Sequence, residues 1–255
     1  MASAATADAL CRLRRTVAEL DAAAMPDGAA PALHLDGGAI DAALGGGLAF
    51  GALHELAPAQ PRDAGAAAGF ALALAALVRG EHPLLWVQTD FARMETGALY
   101  GSGLDLFGFS SSRLILVTVP RAVDVLWAME EALRSRVMAI GEVPHDLDDL
   151  TVTRRLSLSA RDSGGLGLIL RQHLFNASAA TTRWEITAVP SLRDCFGGLG
   201  RTAFVASLTK NRRGRCGRWL LTWDHHACVF LPALSVGVAE TAGDRPDRAP
   251  LIRAG

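Results

Sequence analysis

Apolar residues recur along this chain with two different periods, and the change of period divides it. Between residues 53 and 170, short apolar runs alternate with longer stretches of helical period. Residues 53–56, 84–89 (LLWVQT), 113–119 (RLILVTV), 137–140 and 166–170 read as strands, each a nearly uninterrupted apolar run. Residues 65–79, 92–100, 121–135 and 150–162 read as helices. In the third of these, Ala122, Val125, Leu126, Met129 and Leu133 fall on one stripe. Strands separated by helices of this length predict βαβ units, hence a parallel sheet flanked by helices. After residue 180 the pattern shifts. Residues 181–189, 201–208 and 219–223 predict successive antiparallel strands, with residues 211–217 as the turn between the last two. The predicted fold is an α/β core with an antiparallel extension on its C-terminal side.

Two segments stand outside this pattern. Residues 5–24 predict a helix whose stripe is Leu10, Leu13, Val17 and Leu20, set off by a Pro-, Gly- and Ala-rich linker over 25–38. The stripe fits either a cap docked on the core or a helix that associates with a partner. Residues 236–255 are rich in Gly, Pro, Asp and Arg and predict a disordered tail. The division is therefore 1–35, 36–235 and 236–255.

Composition narrows the chemistry. The chain of 255 residues carries 25 basic and 26 acidic side chains, a formal net charge of −1, which excludes a globally basic nucleic-acid coat but not a local patch. No apolar stretch predicts a membrane span or a signal peptide, so a cytoplasmic protein is expected. The four cysteines, Cys11, Cys195, Cys216 and Cys228, form no C-x-x-C pair. His225, His226, Cys228 and Cys216 match no common zinc spacing, and no serine sits in a nucleophile elbow. The densest basic run is Lys210, Arg212, Arg213 and Arg215 with Arg218, followed by Trp219 and Trp223. Guanidinium groups beside aromatics suit single-stranded nucleic acid, and the same run also reads as a solvated hairpin with its tryptophans in the core. No second basic run of equal density occurs along the sequence.

The stretch IDAALGGGLAFGALHEL (40–56) resembles the entry to the ATPase core of the RecA family, where such a segment leads into the first strand with a Glu near its end. SGLDLFGFSSSRLILV (102–117), TRRLSLSARDSGGLGLILRQ (153–172), TTRWEITAV and RTAFVASLTKNRRG continue the resemblance in order, over roughly residues 36–224. Within that superfamily the chain is most similar to the ImuA family, which is also related to SulA. The resemblance implies a RecA-like fold and a role in damage-induced mutagenesis and translesion synthesis. It implies as partners an ImuB-like inactive Y-family protein and an error-prone C-family DNA polymerase, with RecA and weakly held single-stranded DNA as further candidates. The alternative within the resemblance is a SulA-like cell-division inhibitor that binds the tubulin-like division protein.

The chain departs from the ATPase pattern in ways that imply no catalysis and no cofactor. The position of the phosphate loop reads APAQPRDAGAAAG (57–69). It has no Lys, no Ser or Thr, and two prolines, Pro58 and Pro61, that offer no amide to an anion. Arg62 is the only cation there. Gly141 stands where the Mg²⁺-associated Asp would sit, with Glu142 expected on the opposite strand face. Asp90 matches the water-activating acid and reads equally as a helix cap. Of the loops that hold DNA in the family, 143–150 is acidic here, with Asp146, Asp148 and Asp149, and the loop after Gln172 is short.

Overall fold

A computed structural model of the chain describes residues 32–35, 38–78, 80, 82–105, 107–143, 150–174, 177–191 and 200–232. The predicted N-terminal helix with Leu10, Leu13, Val17 and Leu20, the predicted tail, and Asp146, Asp148 and Asp149 lie outside the described residues.

The strands are β1 (Ala32–Leu33), β2 (Leu48–Ala49), β3 (Ala52–Pro58), β4 (Leu84–Thr89), β5 (Leu114–Val119), β6 (Met138–Glu142), β7 (Leu166–Leu170), β8 (Thr182–Val189), β9 (Thr202–Asn211), β10 (Gly217–Asp224) and β11 (Val229–Pro232). The helices are α1 (Ala39–Leu44), α2 (Ala64–Leu77), α3 (Asp90–Thr96), α4 (Gly101–Asp105), α5 (Ala122–Arg134) and α6 (Leu150–Ser163). Nine strands form one sheet in the order β11-β10-β9-β8-β3-β7-β6-β4-β5. β3 pairs in parallel with β7 and β8, and the run β7-β6-β4-β5 is also parallel. β8 to β11 pair antiparallel. The fold is thus mixed α/β, with a large, mostly parallel sheet flanked by helices, as the alternation of apolar runs predicts.

β3 is the centre of the sheet, and all seven of its residues are buried. Its side chains divide between two cores. On one face α2 packs with Leu56, Trp86, Leu168 and Trp184. On the other α5 and α6 pack with Leu53, Val87, Ala139 and Ile169. α2 is almost entirely alanine, leucine and glycine because it is covered from both sides. Phe107 lies against Gly69 on its outer surface. Phe70 reaches the antiparallel extension, 6.0 Å from Trp184, 5.7 Å from Phe204 and 5.1 Å from Phe230 between ring centroids. Aromatic pairs at such distances add to plain area burial, so the extension and the parallel core share one interior.

Two predicted elements differ in extent, and four short ones were not predicted. The helix expected over 92–100 ends at Thr96, because Gly97 takes a left-handed φ of 87°, and a separate short helix, α4, follows. The small β1–β2 sheet, α1 and β11 are too short to produce a periodic signal. β9 runs three residues further than expected, to Asn211.

Candidate functional site

The loop after β3 is closed by the chain's own carboxylate. Pro61–Asp63 form a 3₁₀ turn, and Gln60 and Asp63 cap it reciprocally. Asp63 is buried at the start of α2. One carboxylate oxygen accepts the Gln60 amide and the other accepts the Ala188 amide of β8, both at 3.2 Å. Backbone amides and a helix N-terminus favour an anion. Here a carboxylate already holds two such amides, and its charge opposes a phosphate. Arg62 is exposed. The sequence reading rested on the missing Lys and overlooked Asp63; an Asp three residues after Gln60 at the head of an apolar helix was the available signal.

At the end of β6, Gly141 packs beneath α5. A Cβ there would collide with the Met129 side chain and crowd Val125, so no carboxylate fits. Glu142 takes the other face, as alternation requires, and that face is the one α2 covers. Its Oε1 accepts the Trp86 indole N–H at 2.8 Å. Burial pushes the Glu142 carboxyl up, and the indole hydrogen bond opposes that rise. Gln88, two residues along from Trp86 and hence on the same face, is fully buried with neither amide atom hydrogen-bonded. Asp90 is exposed in the first turn of α3, and the cap is Thr89, whose hydroxyl accepts the Ala92 amide at 3.0 Å. Among the described residues, no three His, Cys, Asp or Glu side chains are grouped to hold a metal ion.

The predicted basic run is split in two. Lys210 lies across from Arg183 in the β8–β9 ladder and turns inward, donating to the Ser178 carbonyl at 2.5 Å. Burial lowers its pKa, the charges of Arg212 and Arg183 lower it further, and Glu55 opposes them. Arg212, Arg213, Arg215 and Arg218 are exposed. Their backbone is held on α1. The Arg215 amide and the Asn211 side-chain amide both donate to the Ala43 carbonyl, at 3.0 and 2.9 Å, and Gly214 leaves no room for a Cβ against that carbonyl. Trp223 is buried, its indole donating to the Phe107 carbonyl at 3.2 Å, and Trp219 leans on Trp184 at 6.1 Å. The tryptophans therefore serve the core, and the hairpin presents a fringe of guanidiniums without a stacking platform.

Beneath this fringe lies a buried ion cluster. Glu55 on β3 is fully buried and bridges two arginines: its Oε1 is 3.0 Å from Arg171 Nε and its Oε2 is 2.7 Å from Arg183 Nε. Next to it in sequence, His54 is also fully buried. One ring nitrogen lies 2.9 Å from the Ala49 carbonyl and the other 2.7 Å from the Thr182 hydroxyl, which also accepts the Trp184 indole. The Ala49 carbonyl can only accept, so Nε2–H donates to it, and because burial keeps the ring neutral Nδ1 accepts the Thr182 hydroxyl proton. Burial is the largest cause of its pKa being lowered to about 4.

No family model matches the chain. Among curated proteins, it is 31% identical over 195 residues to Protein ImuA of Caulobacter vibrioides strain NA1000 / CB15N, a match covering 69% of this chain and 77% of that protein. Protein ImuA of Caulobacter vibrioides strain ATCC 19089 / CIP 103742 / CB 15 is similar to the same extent. With that identity, spread over most of both chains, the chain belongs to the ImuA family.

Proposed function

We propose that this chain is a RecA-like accessory protein of damage-induced (SOS) mutagenesis and translesion DNA synthesis, that it hydrolyses no nucleotide and needs no cofactor, and that it acts in the cytoplasm through protein contacts. Its partners in this reading are an ImuB-like inactive Y-family protein and an error-prone C-family DNA polymerase, with RecA a further candidate. One observation carries the loss of hydrolysis: the loop after β3 closes on the buried Asp63 carboxylate, which accepts the Gln60 and Ala188 amides, and that loop has no lysine and no hydroxyl. The order of elements supports the RecA-like reading, since a central strand, a loop and a buried helix are followed by crossover strands and an antiparallel extension. Family membership points to mutagenesis and gives no support to the SulA-like alternative.

The exposed arginines of the β9–β10 hairpin are the surface we assign to the protein partner. They are rigidly seated on α1, and their neighbouring tryptophans are committed to the core. The test is co-purification of the ImuB-like protein with the wild-type chain and with a variant in which Arg212, Arg213, Arg215 and Arg218 are all alanine. Retention by the wild type and loss by the variant is expected. A wild-type chain that retains no ImuB-like protein would contradict the function, and retention by both would move the contact elsewhere.

A further inference from the structure

The fold assembles a second basic surface that is dispersed in the sequence. Arg134 and Arg136 at the end of α5 and Arg154 and Arg155 on α6 line an open groove of about 650 Å³ between the two helices. Glu130 is its organiser. This carboxylate is 5% exposed and holds one guanidinium from each wall, Arg134 Nη2 at 2.6 Å and Arg155 Nη2 at 2.5 Å. Such a doubly held carboxylate fixes the direction of both arginines. Arg136 and Arg154 have no ion-pair partner among the described residues. With the adjoining pairs Arg134–Glu131 and Arg161–Asp162 included, the surface holds five guanidiniums against three carboxylates among the described residues.

Arg136 has a second peculiarity. Its φ is 58°, a conformation that glycine adopts freely and arginine does not. The chain thus carries a cation at a helix end where its backbone favours glycine.

We propose that the α5–α6 groove grips the phosphodiester backbone of single-stranded nucleic acid, with Arg136 and Arg154 as the principal phosphate contacts. The lining chemistry is that of phosphate contact. Arginine supplies paired N–H donors to phosphate oxygens, and Thr151 and Ser159 add hydroxyls. Among the described residues no aromatic side chain lines the groove, so bases have no stacking platform there and the contact reads no sequence. Leu158 is the single large apolar side chain in the lining, too little for a peptide to anchor on. This surface is distinct from the hairpin assigned to the protein partner.

The test is fluorescence anisotropy with a labelled single-stranded oligothymidine, titrated with salt, using the full chain and the double variant Arg136→Gly, Arg154→Gln. The variant is expected to bind about tenfold more weakly, with a log–log salt slope less steep by about 1.4, corresponding to two lost phosphate contacts. Its melting temperature should be unchanged or higher, because glycine relieves the left-handed backbone at position 136, and it should still retain the ImuB-like protein. The inference is overturned if the wild type does not bind the oligonucleotide or if the double variant binds it equally well. It is overturned too if the all-alanine hairpin variant alone abolishes binding, or if polyglutamate competes as well as the oligonucleotide.

Discussion

The Asp63 carboxylate and the Ala188 amide are 3.2 Å apart, although 125 positions separate them in the chain. The contact joins the residue before α2 to β8, at the loop where the RecA-like reading we propose would place phosphate. Asp63→Ala removes the acceptor from the partly exposed amides of Gln60 and Ala188, and each such hydrogen bond contributes about 0.5–1.5 kcal/mol net. Urea unfolding should register a loss of that size. The variant should also gain no affinity for ATP, because lysine and the metal-binding hydroxyl are still missing.

Glu55 governs a larger energy. It is the shared anion of Arg183 on the adjacent β8 and of Arg171 just past the end of β7. Removing one member of a buried ion cluster typically costs about 3–5 kcal/mol, because the remaining charges are left in a poor solvent. Glu55→Ala should lose about that much, and Glu55→Asp, which keeps the charge on a shorter stem, less. Equal stability of Glu55→Ala and wild type in denaturant would show the cluster to be solvated.

His54 makes stability depend on pH. Its folded pKa is about 4, against the ordinary value of 6.5. Between these values the unfolded chain binds a proton that the folded chain refuses. Stability therefore falls as pH drops through 6.5, and the loss from this residue is complete below about 4. Its size is about 3 kcal/mol. His54→Gln is expected to be less stable at neutral pH but to lose this part of the slope; unfolding curves at pH 7 and pH 5 for both proteins give the comparison.

β3, β4, β6 and β7 were legible in the sequence because each is buried on both faces and so reads as an apolar run, and β5 at the sheet edge reads as one although it is only partly covered. α5 was legible because its stripe is regular. β1, β2, α1 and β11 were not, since so few residues carry no period. The functional surfaces were harder to read for a different reason. Glu55 and Arg171 are 116 positions apart and meet only through the β3–β7 register. The groove arginines come from a helix end, the turn after it and the next helix, so no basic run marks them. The hairpin arginines do form a run, and its one misleading member was Lys210, which the β8–β9 ladder turns inward toward Ser178.

Leu10, Leu13, Val17 and Leu20 supply the stripe of the predicted N-terminal helix. If that helix serves association, Leu13→Asp with Leu20→Asp abolishes self- or partner association in sedimentation and leaves the melt of residues 36–235 nearly unchanged. A large fall in melting temperature would instead assign the stripe to the core.

The central claim is that this fold has kept the scaffold of a nucleotide-driven protein and given up the nucleotide. Isothermal titration of the full chain with Mg·ATP tests it directly. With the Asp63 carboxylate closing the loop before α2 and no lysine in that loop, no heat above dilution is predicted. Saturable binding in the micromolar range would contradict the account.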